Sequence, residues 1–451
     1  MSETEKTSKT LEPAPAMDSE DEVKAKQEAM VEIAKLYQSS GCTGSRLQQL
    51  LPLVFQAMGM PVSLLSAPNV LFIDFHNGGN HNKSRIVASQ TASLDCDMHE
   101  TITNLLIDIG THPESYSAEK LNDQVKFLHS KEPCFHTAVI FVAWLIVATF
   151  VGSLYFGNPF ESAALACVCG VATFLLYAIL PAVLPSFAPS RDFVASFAAG
   201  FLARGAASFE LLELGCTILG AILGIIPMVP GTALTTGVID VMSGNAVVTG
   251  TSTFVVGLLT AFLQGIGLWC GFYVGGQWGP TYVVPDDLTC SHDLTSDWWL
   301  FLWLPLNWAS WAVLLNVPIS RWPIYFGAGA LMFGAWYGLG YTNAPSDFQN
   351  LLGSFVVGLY GFGVERWTGH PSIGVFVFGF FLQVPGGSAV AAVWLSLYNQ
   401  ADGYSSHAAL VSLEIGIGLY VAYGVFFAIF QKRELAFKPA AECIGPKEYY
   451  V

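Results

Sequence analysis

Charge is what this chain has least of. Only 12% of its 451 residues are Asp, Glu, Lys or Arg, about half the share of an ordinary soluble domain, so most of the chain cannot be built around a water-facing surface. Basic residues are scarcest, 19 against 34 acidic ones, and the resulting net charge of −15 argues against nucleic acid as a partner. No GxSxG, Walker A, HExxH or dinucleotide fingerprint occurs, which speaks against an enzyme, a bound cofactor or an ATP-driven pump. The nine cysteines form no CxxC pair and no ligand framework, and several lie in apolar runs where a small polarizable side chain packs well. Asp74, His76, His81, Asp97 and His99 fit no metal-ligand spacing, so no metal is expected. The acidic first residues lack the apolar core of a secretory signal, which predicts a cytosolic N-terminus.

What fills the chain instead is apolar: 53% hydrophobic residues, 44 glycines and 12 tryptophans, with a mean hydropathy of +0.50. Residues 1–25 read as a disordered acidic tail, and residues 26–131 as a cytosolic α+β domain. In that domain helical spacing runs over Glu28–Ser39, Arg46–Met58, Thr101–Ile109 and Ala118–Leu128, with Gly41 and Gly59 as stops. Short strands are expected at Val62–Ser66, Val70–Phe75 and Ile86–Ser89, with a turn at Asn77–Asn80.

From Thr137 the chain becomes ten apolar segments, most near the length of about 20 residues that crosses a bilayer. They are Thr137–Phe156, Ser162–Leu184, Phe193–Phe209, Leu212–Pro230 and Ala246–Gly275, then Trp298–Val317, Pro323–Tyr341, Leu351–Val364, Ser372–Leu397 and Ala408–Phe430. An acidic outer loop (276–297) separates two membrane repeats, 137–275 and 298–430, and 431–451 form a cytosolic tail. The predicted inward loops carry Arg191, Arg321, Arg366, Lys432, Arg433 and Lys438. The outward ones carry Glu161, Asp286, Asp287, Asp293, Asp297, Asp347 and Asp402, as the positive-inside rule requires. Five spans per half force the second half to insert upside down. The fold class expected is therefore an α-helical polytopic membrane protein of two inverted five-helix repeats behind a soluble α+β domain.

Two Pro-Gly breaks interrupt this apolar part: Pro227-Met228-Val229-Pro230-Gly231-Thr232 and Gln383-Val384-Pro385-Gly386-Gly387-Ser388. Proline removes a backbone donor and glycine permits a sharp turn. In hydrocarbon the freed groups must be packed in protein or line a wet cavity, and a matched pair of breaks marks a transporter's substrate site at the repeat interface. The layout puts the first break towards the cytosolic side and the second towards the outer side.

The order of soluble domain, Pro227, Pro230, Gly231, Gly237, Asp240, Ser243 and Gly244, then a second half bearing Val384–Gly387, resembles the threonine/serine exporter (ThrE) family, including its fungal pheromone-regulated membrane protein branch. Ala67-Pro68-Asn69 before Val70–Phe75 adds to the likeness, which covers roughly residues 26–430. The resemblance implies ion-gradient-driven export of small polar metabolites. Characterised members are associated with threonine and serine, split bacterial relatives with succinate. The second motif lacks an acid equivalent to Asp240.

Candidate substrate-binding residues are Pro230, Gly231, Thr232, Thr235 and Thr236 in one half and Gln383, Pro385, Gly386, Gly387 and Ser388 in the other. Hydroxyls, an amide and helix N-termini suit a zwitterion; alternatively, the threonines only back-bond to the turn. Candidate coupling carboxylates are Asp240, Glu414, Glu210 and Glu213, since a membrane-embedded acid is costly and kept for a reason. For Asp240 the alternative is an interfacial cap on the turn Ser243–Asn245, for Glu210 and Glu213 an ion pair with Arg204, and for Glu414 an interhelical hydrogen bond. Glu365 and Arg366 read as a solvated pair. Runs of small residues at Gly220/Gly224, Gly267/Gly271/Gly275 and Gly334/Gly338 allow close helix packing, and Trp298, Trp299, Trp303, Trp308 and Trp311 read as interface anchors. The expected function is proton-coupled, alternating-access export of amino acids such as threonine and serine, with small-molecule substrate, protons and membrane lipid as partners. The alternatives are a dicarboxylate exporter, a passive channel, or a non-transporting membrane protein whose soluble domain binds partners. That domain could regulate access or mediate homo-oligomerisation. The plasma membrane, the vacuole or another endomembrane would suit it.

Overall fold

The computed structural model describes residues 20–76, 83–88, 94–155, 160–209, 214–278, 300–381, 383–397 and 404–430. The turn Asn77–Asn80, Glu210, Glu213, most of the acidic loop and the C-terminal tail lie outside them.

The N-terminal unit begins earlier than expected. Helix α1 (Glu20–Ser39) takes in the end of the acidic tail, whose Glu20, Asp21 and Glu22 form its first turn and there complement the helix dipole. Helix α2 (Gly44–Ala57) follows, then an antiparallel sheet of β1 (Val62–Ala67), β2 (Val70–Phe75) and β3 (Lys83–Ala88) in the order β1-β2-β3. Helices α3 (Cys96–Thr111) and α4 (Ala118–Ser130) complete the unit. Gly41 and Gly59 stop α1 and α2 at positive φ, 88° and 74°. Alternation along β2 sends Leu71, Ile73 and Phe75 into one core with Met30, Ile33, Tyr37, Leu47, Phe55, Ile102 and Leu106. The strand period of two explains why that face, and not Phe72, is buried.

The apolar part comprises α5 (Thr137–Tyr155), then α6 (Phe160–Phe174), which runs through a π-helical turn (Leu175–Ile179) into α7 (Leu180–Val183). Next come α8 (Arg191–Ser208), α9 (Leu214–Ile225) with a 3-10 turn Ile226–Met228, α10 (Gly231–Met242) and α11 (Val247–Gly275). Beyond the loop stand α12 (Leu300–Leu314), α13 (Trp322–Gly340), α14 (Ser346–Thr368), α15 (Ile373–Phe380), α16 (Gly386–Ser396) and α17 (Tyr404–Phe430). By length and composition, Ser162–Val183, Val247–Gly275 and His407–Phe430 can each cross a membrane, and Gly215–Met228 with Gly231–Met242, bent by 55° at the break, has the form of a broken span or a re-entrant loop.

Helix contacts recur in the two halves. Helix α8 packs on α11 as α14 packs on α17, α6 on α9 as α13 on α15, and α5 packs on α12 across the halves. The half-helices after the breaks change sides. Residues Ala389, Val390, Ala391, Trp394 and Leu395 of α16 complete a core with α6, α8, α9 and α11, while α10 packs on α17 and sends Ile239 against the core of Phe376, Phe380 and Ile415.

Three expectations are corrected. Trp311 is buried, its ring 3.6 Å from that of Phe381 beside the second break, so it is core and not an interface anchor. Cys216 is disulfide-bonded, a role the scattered spacing did not disclose. Gly267 and Gly271 face the backbone of α8, but Gly334 and Gly338 face open space, so that third run packs no neighbouring helix among the described residues.

Candidate functional site at the crossing of two broken helices

The two Pro-Gly breaks touch. A Cβ placed on Gly231 would lie 2.6 Å from Val384 Cγ1 and 2.9 Å from Gly386 N, and one on Gly386 would lie 2.6 Å from Val229 Cγ2 and 2.8 Å from Gly231 N. The contact is reciprocal, and only glycine admits it on either side. The prolines before them adopt the same conformation as N-caps, φ −81° and ψ 30° at Pro230, φ −79° and ψ 32° at Pro385. Sequence layout put the first break towards the cytosolic side and the second towards the outer side of a shared interface, and the two pack directly against each other. Two helix N-termini, α10 and α16, thus start at one place, and the first-turn amides of a helix have no partner within it.

Thr232, Thr235 and Thr236 line a narrow cavity of about 10 Å³ beside this crossing, opposite Ile373, Phe376, Val377 and Phe380 of α15 and Val384. That is near the least space a single water needs. The threonines therefore face phenyl rings, not Gln383 and Ser388 as their sequence suggests. Thr236 Oγ1 donates to Thr232 O at 2.7 Å and Ser388 Oγ to Pro385 O at 3.0 Å, so both hydroxyls are spent on their own turns. Thr235 Oγ1 and Gln383 Oε1 are buried without a hydrogen-bond partner. A buried polar group left unpaired costs about 1–3 kcal/mol, and such groups beside a helix break are candidates for a ligand.

Asp240 lies at the far end of α10, buried, and its carboxylate reaches the N-terminal unit. Oδ2 accepts from Gly44 N at 2.8 Å; Oδ1 accepts from Ser45 N at 3.0 Å and Ser45 Oγ at 2.7 Å. It caps the N-terminus of α2 from another part of the chain, where dipole and free amides favour an anion. Ser243 Oγ donates to Asp240 O, at 2.6 Å. Next in α2, Arg46 Nη2 meets Glu365 Oε1 at 2.8 Å, and Ser372 Oγ also donates to Glu365. Glu365 is therefore paired with the N-terminal unit, not with Arg366. Behind this contact, burial pushes the Cys42 thiol up to about 12 and, with help from Arg46, holds His99 down at about 3, so both stay neutral at physiological pH. His99 stacks on Tyr37 at 5.1 Å.

Two further groups bind the second half to the same unit. Asn316 Nδ2 donates to Asp95 at 2.9 Å, and Arg321 Nη2 meets Glu100 at 2.7 Å. Glu414 accepts from Asn350 Nδ2 at 2.9 Å. Sequence reading missed Asp192, Gln264 and Asn350. Gln264 is fully buried and donates to Asp192 Oδ1 at 2.9 Å and to Met228 O, beside the first break, at 3.0 Å. A glutamine inside a long apolar run was the available signal.

Relatives of this chain occur in fungi. An uncharacterized protein of Schizosaccharomyces pombe is 19% identical over 80% of this chain and 43% of its own length. Pheromone-regulated membrane protein 10 of Candida albicans is 24% identical over 53% of the chain and 23% of its own length, and that of Eremothecium gossypii 24% over 59% and 36%. The chain thus spans less than half the length of these curated relatives. No solved structure matches it. The family model described as "Putative threonine/serine exporter" matches residues 28–275, more than half of the chain, and the chain belongs to that family, ThrE.

Proposed function

We propose that this chain is a secondary transporter exporting a small zwitterion of the serine and threonine kind by proton-coupled alternating access, with two inverted five-helix repeats meeting at the Pro-Gly crossing. The observation that carries the reading is the reciprocal contact of Gly231 and Gly386, each filling the space the other's side chain would need. Recurrent helix contacts in the two halves support it. So do the matched proline N-caps. Two converging helix N-termini suit one carboxylate, and the unpaired Thr235 Oγ1 suits an ammonium. A dicarboxylate would leave its second charge without a cation there. The cavity of about 10 Å³ is too small for an amino acid, so this reading requires the crossing to part to admit substrate.

In this reading the N-terminal unit is cytosolic, docked on the end of the bundle that carries Arg321. The disulfide-bonded Cys216, at the end of α9 remote from the unit, fits an oxidising far side. Counterflow of labelled serine, threonine and succinate in proteoliposomes tests the substrate. Saturable exchange of serine and threonine is expected. Exchange of succinate alone, or of none of the three, would remove the reading.

A further inference from the structure

One carboxylate in each half meets a neutral amide on the neighbouring helix. In the first half Asp192, in the opening turn of α8, accepts from Gln264 of α11; in the second Glu414 of α17 accepts from Asn350, near the start of α14, both at 2.9 Å. Acid and amide have exchanged helices, but the position is the same. Just beyond each pair a Cβ on Gly267 of α11 would lie 2.5 Å from Phe193 O, and one on Gly418 of α17 would lie 2.4 Å from Leu351 O. Gln264 is fully buried, its second amide hydrogen goes to Met228 O at the break, and its Oε1 has no partner.

We propose that Asp192 and Glu414 carry the coupling proton, one in each half, and that Gln264 transmits the state of Asp192 to the first break. This rests on the transport reading above. Ionised Asp192 only accepts, and it takes one hydrogen of Nε2 while the other holds Met228 O. A proton taken from water makes the carboxyl a donor, and the vacant Oε1 is the acceptor within the same amide. Presenting Oε1 requires the amide to rotate, which withdraws Nε2 from Met228 O and loosens the break. Loss of the proton to water on the other side restores it. The charged and titratable groups facing Asp192 are Arg191, whose Nε is 3.8 Å away, and Tyr177, whose ring lies under that guanidinium at 4.5 Å. Of the helices packed on α17, α14 carries Asp347 in its first turn and α10 carries Asp240, which is held by the first turn of α2; α17 itself carries His407. None is ion-paired with Glu414 among the described residues.

The test is serine accumulation in proteoliposomes under an imposed pH gradient, with the pH profile of serine exchange as a second readout. Asp192→Asn and Glu414→Gln should each lower accumulation by about tenfold or more and flatten the profile, because the titrating group is gone. Asp192→Glu should restore accumulation with a displaced profile, and Gln264→Leu should weaken the response while both acids remain. If Asp192→Asn does not fold, the Asp192→Glu and Gln264→Leu profiles still decide. Unchanged accumulation and profile in both acid variants would overturn the inference and leave transport standing. A wild type that moves no solute under any gradient would sink the transport reading, and this inference with it.

Discussion

Gly231 and Gly386 constrain one another. An added methyl on either meets opposing backbone at 2.9 Å or less, and overpacking of a tight contact costs about 1–3 kcal/mol. Gly231→Ala and Gly386→Ala should each lower the melting temperature of the purified protein, and the double variant should cost less than the sum, since the two positions share one space. Thr235 makes the opposite prediction. Its hydroxyl is buried without a partner, so Thr235→Val should hold or slightly raise stability, by up to about 1 kcal/mol, while raising the KM for serine about tenfold or more through loss of a ligand hydrogen bond. Equal KM in variant and wild type would remove Thr235 from the site. In the N-terminal unit His99 ionises at about 3, against about 6.5 in an unfolded chain. Below pH 6.5 the unfolded chain binds a proton that the folded one refuses until about pH 3, so stability falls across that window by about 1.4 kcal/mol per pH unit. Melting at pH 5 and pH 7 should show this loss, and His99→Phe should abolish it.

At the scale of elements, the first turn of α2 is the joint of the molecule. Its amides hold Asp240 of α10 and its Arg46 holds Glu365 of α14, so one turn touches one helix from each half. Asp240→Asn keeps the shape but removes the charge facing the helix dipole, at a cost of about 1–2 kcal/mol. Hydrogen exchange at Gly44–Leu47 should accelerate in that variant and in Arg46→Ala, with the core of α11 unaffected; unchanged exchange would mean that docking rests on other contacts. This joint was not legible in the sequence. Asp240 and Gly44 are 196 residues apart, and nothing in the local pattern around Pro230-Gly231 says which helix end an acid nine positions on will cap. Asp192 was equally hidden, since an acid in a helix's first turn is ordinary and needs no function. The breaks were legible because proline and glycine act locally on the backbone, and the order of apolar helices because burial in hydrocarbon demands long uncharged runs. The glycine-to-glycine contact of the breaks was not, since it depends on the packing of elements far apart in sequence.

Across the whole molecule, the half-helices α10 and α16 bind the two halves by packing into one another's cores, while the N-terminal unit ties both together at one end through Asp240, Glu365, Asn316 and Arg321. Alternating access requires the halves to move, so in the proposed cycle the crossing of the breaks and one side of that tie must open. The most direct measurement joins the breaks covalently. Ile226→Cys with Gly387→Cys, on a background without the other free cysteines, places a sulfur pair where Ile226 Cδ1 now lies 3.1 Å from the position of a Cβ on Gly387. Serine flux into proteoliposomes should fall to background when this pair is oxidised and return on reduction. Full flux with the disulfide formed would contradict a pathway through the crossing.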